Sequence, residues 1–206
     1  MKVNHGDIET LRANPLSFLK RETGGFIPFA PASALRLSIM YLHSHFDNLA
    51  KAHAYLTEKC MGRGARFTPD KIAEQHDKLN AYYDAYSKCP GRACATAHNL
   101  SGDTPAGHVV GGQLARVDVR TTLSPSEPYY FAWLLTSKPL AWKHQLRMPL
   151  IQYFGALDFK CPVQEMAIGM YCHQTGEHEW TQFTMAEIQS ALEELDHLIV
   201  VAETAS

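Results

Sequence analysis

Apolar residues recur at helical spacing through roughly the first 88 residues and give way to strand-like runs after Pro90. Asp7 can cap a short helix running to about Asn14, and Pro15 suits the first turn of a second one through Glu22. Thr23 to Pro31 holds two Gly and two Pro and reads as a loop. Ser33 can cap a longer helix with Leu35, Ile39, Leu42, Phe46, Leu49 and Leu56 on its apolar stripe, ended by Gly62 and Gly64. Thr68 followed by Pro69 starts another helix, which Ile72, Leu79, Tyr83 and Tyr86 carry to about Lys88.

Beyond Pro90, Cys94 to Leu100 and Val109 to Thr122 read as strands with Gly- and Pro-containing breaks between them. Tyr129 to Thr136 is a continuous apolar run, the signature of a central strand buried on both faces. Pro139 to Leu157 is predicted as a helix that Pro149 would kink. Val163 to His173 and Glu177 to Phe183 form a hairpin around Thr175-Gly176. Thr184 with Glu187 three residues later is a capping box, followed by Ile188, Leu192, Leu195 and Ile199. This order predicts an α/β domain with a mixed sheet flanked by helices: a helical N-terminal part over 1–88 and an α/β core over 89–206.

Composition sharpens the picture. At 206 residues and 46% hydrophobic content the chain suits one packed domain and does not suit disorder. With 19 Lys and Arg against 21 Asp and Glu the net charge is −2, so a nucleic-acid contact must be local rather than a broad polyanion grip. The eleven histidines turn that charge positive in mild acid. Five cysteines, an odd number, favour a reducing cytoplasm over a disulfide framework. No apolar run reaches the roughly 18 residues a membrane span needs, and the N-terminus lacks a signal-peptide layout. A soluble, cytoplasmic protein without membrane contact is expected.

Candidate chemistry is sparse. Cys89, Cys94 and His98 could feed a zinc site, with Cys161, Cys172 and His173 completing it, but no tight second pair exists and the spacing favours ordinary buried thiols. His43 and Asp47, four apart, can pair on a helix, although with His45 they read best as a polar helix edge. His173, Glu177, His178 and Glu179 surround the hairpin turn and should be solvated. Neither a phosphate-binding Gly loop nor a nucleophile motif is present.

Several short stretches occur in an order that resembles RecB-type nucleases of the PD-(D/E)XK superfamily, including the CRISPR-associated RecB-like exonucleases. Asn14-Pro15-Leu16-Ser17-Phe18-Leu19 resembles their opening stretch. Leu37 to His43 is similar to their Gly-x-x-x-His helix start, with Ser38 for the Gly and Leu42 or His43 for the His. Gly112-Gln113-Leu114-Ala115-Arg116-Val117-Asp118 resembles Gly-x-Ile-Asp-Arg-Val-Asp, and Trp133 to Lys138 resembles Asp-Tyr-Lys-Thr-Ser-Lys. His144-Gln145-Leu146 through Tyr153 is similar to the Gln-bearing helix that follows. The resemblance implies a restriction-endonuclease-like core.

At the three places where the family keeps two metal-binding acids and a lysine, this chain has Ala115, Trp133 and Leu135. Phe131, Trp133 and Leu135 alternate along one strand and share a face. Mg²⁺ demands oxygen ligands that these side chains cannot supply. The resemblance therefore implies an inactive nuclease fold that needs no cofactor and acts by binding DNA or a protein partner. Arg116, Lys138, Lys143, His144, Gln145 and Arg147 would form a local basic strip for that purpose. Two rivals remain open. One is an active Mg²⁺- or Mn²⁺-dependent nuclease with relocated ligands Asp118, Glu127, Lys138 and His43, although Asp118, three residues from Ala115, faces the other way on a regular strand. The other is a small-molecule or Zn²⁺-binding α/β protein built on the Cys/His set.

Overall fold

The computed structural model describes residues 2–18, 31–62, 67–89, 91–121, 127–136 and 142–204. Its architecture is α/β, with a six-stranded mixed sheet flanked by helices, as the sequence order predicts. The strands are β1 (Lys2–Asn4), β2 (Gly91–Asp103), β3 (Val109–Arg120), β4 (Tyr130–Thr136), β5 (Met166–Cys172) and β6 (Glu177–Thr181). The helices are α1 (Ile8–Ala13), α2 (Pro15–Phe18), α3 (Pro31–Ser44), α4 (Leu49–Met61), α5 (Pro69–Ser87), α6 (Arg147–Asp158) and α7 (Met185–Thr204).

β3 is the organising strand. Along one edge it pairs antiparallel with β2, and along the other it pairs parallel with β1 near its start and antiparallel with β4 near its end. The sheet continues through β5, parallel to β4, to β6, antiparallel to β5. β1 falls inside the segment read as helical, because three residues are too short for any period to show.

Two apolar layers sandwich the sheet. On one face, Leu114, Val117, Ala132, Leu134, Met166 and Ile168 pack against α1, α6 and α7. On the other, α3, α4 and α5 pack their Leu35, Ile39, Leu42, Leu56, Leu79 and Tyr82 together with Tyr171 of β5. The α7 capping box forms as predicted: Thr184 N donates to Glu187 Oε2 at 2.7 Å, and Glu187 N donates to Thr184 Oγ1 at 3.3 Å. Gln152, fully buried in α6, donates to the Val163 and Phe183 carbonyls and accepts from Phe183 N at 2.7 Å, which satisfies its amide completely.

Several local expectations are corrected. The single long helix from Ser33 is two, because Phe46 and Asp47 adopt positive φ values of 57° and 56° and turn the chain between α3 and α4. Phe46 consequently points into solvent rather than joining the stripe. On α5 the buried tyrosines are Tyr82 and Tyr86, with Tyr83 only half-buried, since the inward row runs Leu79, Tyr82, Tyr86. Pro149 does not kink α6, because it lies in the first turn, where its missing N–H has no intrahelical acceptor. Asp7 stands at the α1 N-cap without a side-chain cap bond. Ser33 lies inside α3, which starts at Pro31.

Trp133 leans over Gly169 on the neighbouring strand, and a Cβ built there would collide with the indole ring. Gly169→Ala should destabilise the protein by roughly 1–3 kcal/mol through overpacking. Urea unfolding followed by circular dichroism checks this, and an unchanged midpoint would refute the close packing of Trp133 on β5.

Candidate functional site

The polar heart of the molecule lies where α3 and α5 cross the sheet. The register pairs Arg116 with Trp133 and Asp118 with Phe131, so these four side chains share the sheet face that looks toward α3 and α5. Arg116 is 3% exposed and Asp118 1% exposed, and Arg116 Nε stands 2.7 Å from Asp118 Oδ1. α5 contributes Tyr82, whose hydroxyl accepts from Arg116 Nη1. The last turn of α3 contributes His43, with Nε2 2.6 Å from the Tyr82 hydroxyl and Nδ1 2.6 Å from Asp47 Oδ1. Tyr86 donates to Asp47 Oδ2 at 3.2 Å and accepts from Ala93 N at 3.1 Å.

These bonds are all satisfied when Arg116 donates to Tyr82, Tyr82 to His43 and His43 to Asp47. The left-handed conformation of Asp47 is what carries its carboxylate back under His43. Aromatic faces complete the enclosure, with the guanidinium carbon 4.5 Å from the Tyr86 ring centre and 5.0 Å from that of Trp133.

Electrostatics follow from this burial. Desolvation opposes the Arg116 charge, but Tyr82 and Asp118 hold its pKa above the usual arginine value. Burial pushes the Asp118 carboxyl upward, with Arg116 and the Trp133 indole pulling the other way. Burial also raises the Tyr82 hydroxyl and pushes Tyr86 up to about 12, so both stay protonated. Burial lowers the pKa of His43 despite its bond to Asp47, and that same bond holds Asp47 below the usual carboxylate range.

Space is the limiting factor. The void lined by Tyr82, Tyr86, Cys89, Arg116, Trp133, Tyr171 and His178 measures about 10 Å³, scarcely room for one water. The cluster can relay a proton internally and fix geometry, but it admits no substrate in this conformation.

A more open space lies beside it. β4 pairs with β3 only as far as Arg116 and Trp133, so Leu134 to Thr136 separate from the strand carrying Leu114 to Gly112. Two cavities of about 230 Å³ each open there and meet at Arg36 and Leu135. Ala115 and Leu135 both line this notch, while Trp133 lies one residue pair deeper, sealed against Arg116. Of the three positions singled out by resemblance, two therefore meet at an accessible place and the third is core.

The predicted basic strip is not assembled. Arg116 faces the interior and is neutralised by Asp118, because Trp133 and the tyrosines cover it. Lys138 lies outside the described residues. Lys143 is exposed and ion-paired with Glu179 at 3.2 Å. His144 is also exposed, and its carbonyl accepts from Arg12 at 3.3 Å. Gln145 accepts from Arg147 Nε at 2.8 Å, and among the described members of the set only Arg147 lines the notch.

The relocated metal set does not gather either. The Arg116 guanidinium stands between Asp118 and His43, which is 3.4 Å from Nη1, and exposed Glu127 pairs with Arg120. Asp118 nonetheless faces the same way as Trp133. The polar-edge reading of His43 is also corrected, because the ring is buried against Tyr82 and Tyr86.

The Cys/His set is dispersed. Cys89 is buried against α5, Cys94 sits exposed at a register shift of β2, and His98 pairs with Asp158. Among the described residues no three His, Cys, Asp or Glu side chains are placed to hold a metal. Sequence reasoning missed Tyr82, Arg36 and His5. For Tyr82 the signal was the three-then-four spacing of Leu79, Tyr82 and Tyr86.

No protein-family model and no curated protein matches the sequence. Among solved structures, the fold is similar to that of a protein from Eubacterium rectale named "putative exonuclease", with a TM-score of 0.54 and 8% identity over 100% of this chain and 82% of that one. The crystal structure of SSO0001 overlaps at a TM-score of 0.32 and 11% identity over 92% of this chain and 85% of that one, too loosely to carry an argument. The first similarity shows a shared α/β fold.

The His43 relay makes stability depend on pH. Its pKa is lower folded than the ordinary 6.5, so its contribution is complete above about pH 6.5 and is lost as pH falls through the folded value. Asp47, also lowered, adds a further loss below its ordinary 3.8. Buried His5 and partly buried His76 shift the same way. Urea unfolding across about pH 7.5 to about pH 5 should therefore show stability declining toward acid, with a shallower slope in His43→Gln. Equal slopes would place His43 outside the titrating set.

Proposed function

We propose that this chain is a RecB-type nuclease-fold protein that has given up catalysis and acts by binding DNA, within a nucleic-acid-processing or defence-related complex. The observation that carries this reading is the Arg116 guanidinium lodged between Asp118 and His43. A nuclease of this shape needs a hydrated divalent cation to generate its attacking water, with carboxylates to hold it. Here a side-chain cation fills the space beside the sheet's polar residues, and Ala115, Trp133 and Leu135 stand where the resemblance expects two acids and a lysine. No resident cofactor is required for a binding role.

The nuclease-like fold and the exonuclease name of the Eubacterium rectale protein support DNA, in particular its ends, as the ligand. The net charge of −2 means that contact is local, through a few arginines rather than a basic face. A protein partner is the second reading, favoured by that same charge and by the loss of Arg116 and Lys143 from the expected strip.

Single- and double-stranded DNA incubated with the protein and Mg²⁺ or Mn²⁺ should remain intact. Binding should be measurable at low salt and should weaken as salt rises, with the shallow slope of few phosphate contacts. Cleavage that disappears in Asp118→Ala would overturn the reading. Absence of DNA binding, together with a stable co-purifying protein, would favour the second one.

A further inference from the structure

The notch beside the polar heart differs from it in one respect that decides what it can hold. Its floor is Ala115, and its walls bring Arg36 from α3 and Arg147 from the start of α6 together with His5 and Gln113. No carboxylate lines either of the two adjoining cavities among the described residues. A cation site needs acids, and none is contributed here.

The placement of these groups is built into the fold. β1 pairs with the start of β3, and His5 N donates to the Gly111 carbonyl at 2.7 Å, continuing that pairing one residue further. The His5 ring then rests on Gly112 so closely that a Cβ there would overlap it. His5 Nε2 lies 3.3 Å from the Gln113 carbonyl, and Nδ1 is buried without a hydrogen-bond partner among the described residues. Arg147 and Arg36 both stand near enough to lower the pKa of His5, behind burial as the main cause and against the Gln113 carbonyl and Asp7.

Among the described residues neither arginine forms an ion pair, although Glu9 lies near enough to act on Arg147 electrostatically. Arg36 is exposed and makes no ion pair with a described carboxylate. Arg147 is half-buried and spends its Nε on Gln145, and burial lowers its pKa with Glu9 opposing. Glu9 Oε1 accepts instead from the Arg147 backbone N at 3.1 Å. A partly desolvated guanidinium without an anion is costly, and an anion that accepts from it recovers that cost.

From this geometry we infer that the notch is an anion site for a phosphate monoester carried on a nucleoside, its phosphate held by Arg36 and Arg147. Each cavity is smaller than the roughly 300–1,000 Å³ of a drug-sized pocket, which suits a phosphate in one and little more than a nucleoside in the other. The second cavity is the more apolar, with Leu35, Ile39 and Leu135 as a surface for the base and Thr136 and His173 at its rim. Guanidinium groups match phosphate oxygens two at a time, which a single lysine cannot do. The inference deepens the DNA-binding reading by naming the group recognised, the phosphorylated end of a strand, but the same chemistry is offered by a free nucleoside monophosphate.

The test is fluorescence anisotropy of a short single strand with and without a 5′-phosphate, with nucleoside 5′-monophosphate as competitor. Phosphorylated DNA should bind at least about 10-fold more tightly, and Arg36→Gln and Arg147→Gln should each remove most of that difference. Lys71→Gln, an exposed cation on α5 away from the notch, should leave it unchanged. Arg36 is exposed, so Arg36→Gln also tests the site without endangering the fold, and thermal unfolding checks that the variant stays folded. Full competition by the monophosphate identifies a free nucleotide as the ligand, and its failure against tight strand binding identifies the strand end. Equal binding of both strands, or a phosphate preference that survives both arginine variants, overturns the site. If DNA still binds in that case, the broader reading stands without it.

Discussion

A guanidinium buried beneath two helices is the constraint on which the rest of this structure depends. Removing Arg116 and Asp118 from water costs several kcal/mol per ion, and only close pairing and further hydrogen bonds offset it. The fold supplies the pairing for both ions and a further hydrogen bond, to Tyr82, for Arg116. β3 holds the two residues on one face, β4 lays Trp133 across them, α5 brings the Tyr82 hydroxyl and the Tyr86 ring, and α3 brings His43. Four elements distant in sequence must therefore be in register at once. A slip of one residue in β3 would turn both charges toward the apolar layer under α6 and α7.

The same arrangement separates two spaces. The region beside Asp118 is full, closed by aromatic side chains and carrying its own cation. The notch where β3 and β4 part is open, lined by Ala115 and Leu135, and has arginines where carboxylates would be needed for a metal. Positive groups come from the protein, which is the basis of the anion site proposed above. The near-neutral total charge, which excludes a broad grip on nucleic acid, is compatible with such a small and directional contact.

Much of this was legible in the residues and some was not. β4 and α7 showed clearly, since β4 is a continuous apolar run and Thr184 with Glu187 announces its helix. The inward pairing of Arg116 with Asp118 was in principle readable, because residues two apart on a strand share a face. What could not be read was the cover. Arg116 looks like a surface cation until α3 and α5 are placed above it, and that placement depends on the turn at Phe46 and Asp47, where neither residue is a glycine. β1 was equally hidden, being three residues long, and with it the position of His5 over Gly112. Local pattern gives elements, whereas the site arises from contacts between residues 43, 82, 116 and 133, which no window along the chain contains.

The claim that Arg116 and Asp118 form the clamp between sheet and helices is tested most directly by a pair of variants in urea unfolding. Arg116→Met alone leaves a buried carboxylate without its partner and should cost about 3–5 kcal/mol, while Arg116→Met combined with Asp118→Leu should recover most of that loss. A single variant as stable as the parent, or a double variant no more stable than the single one, would contradict the account.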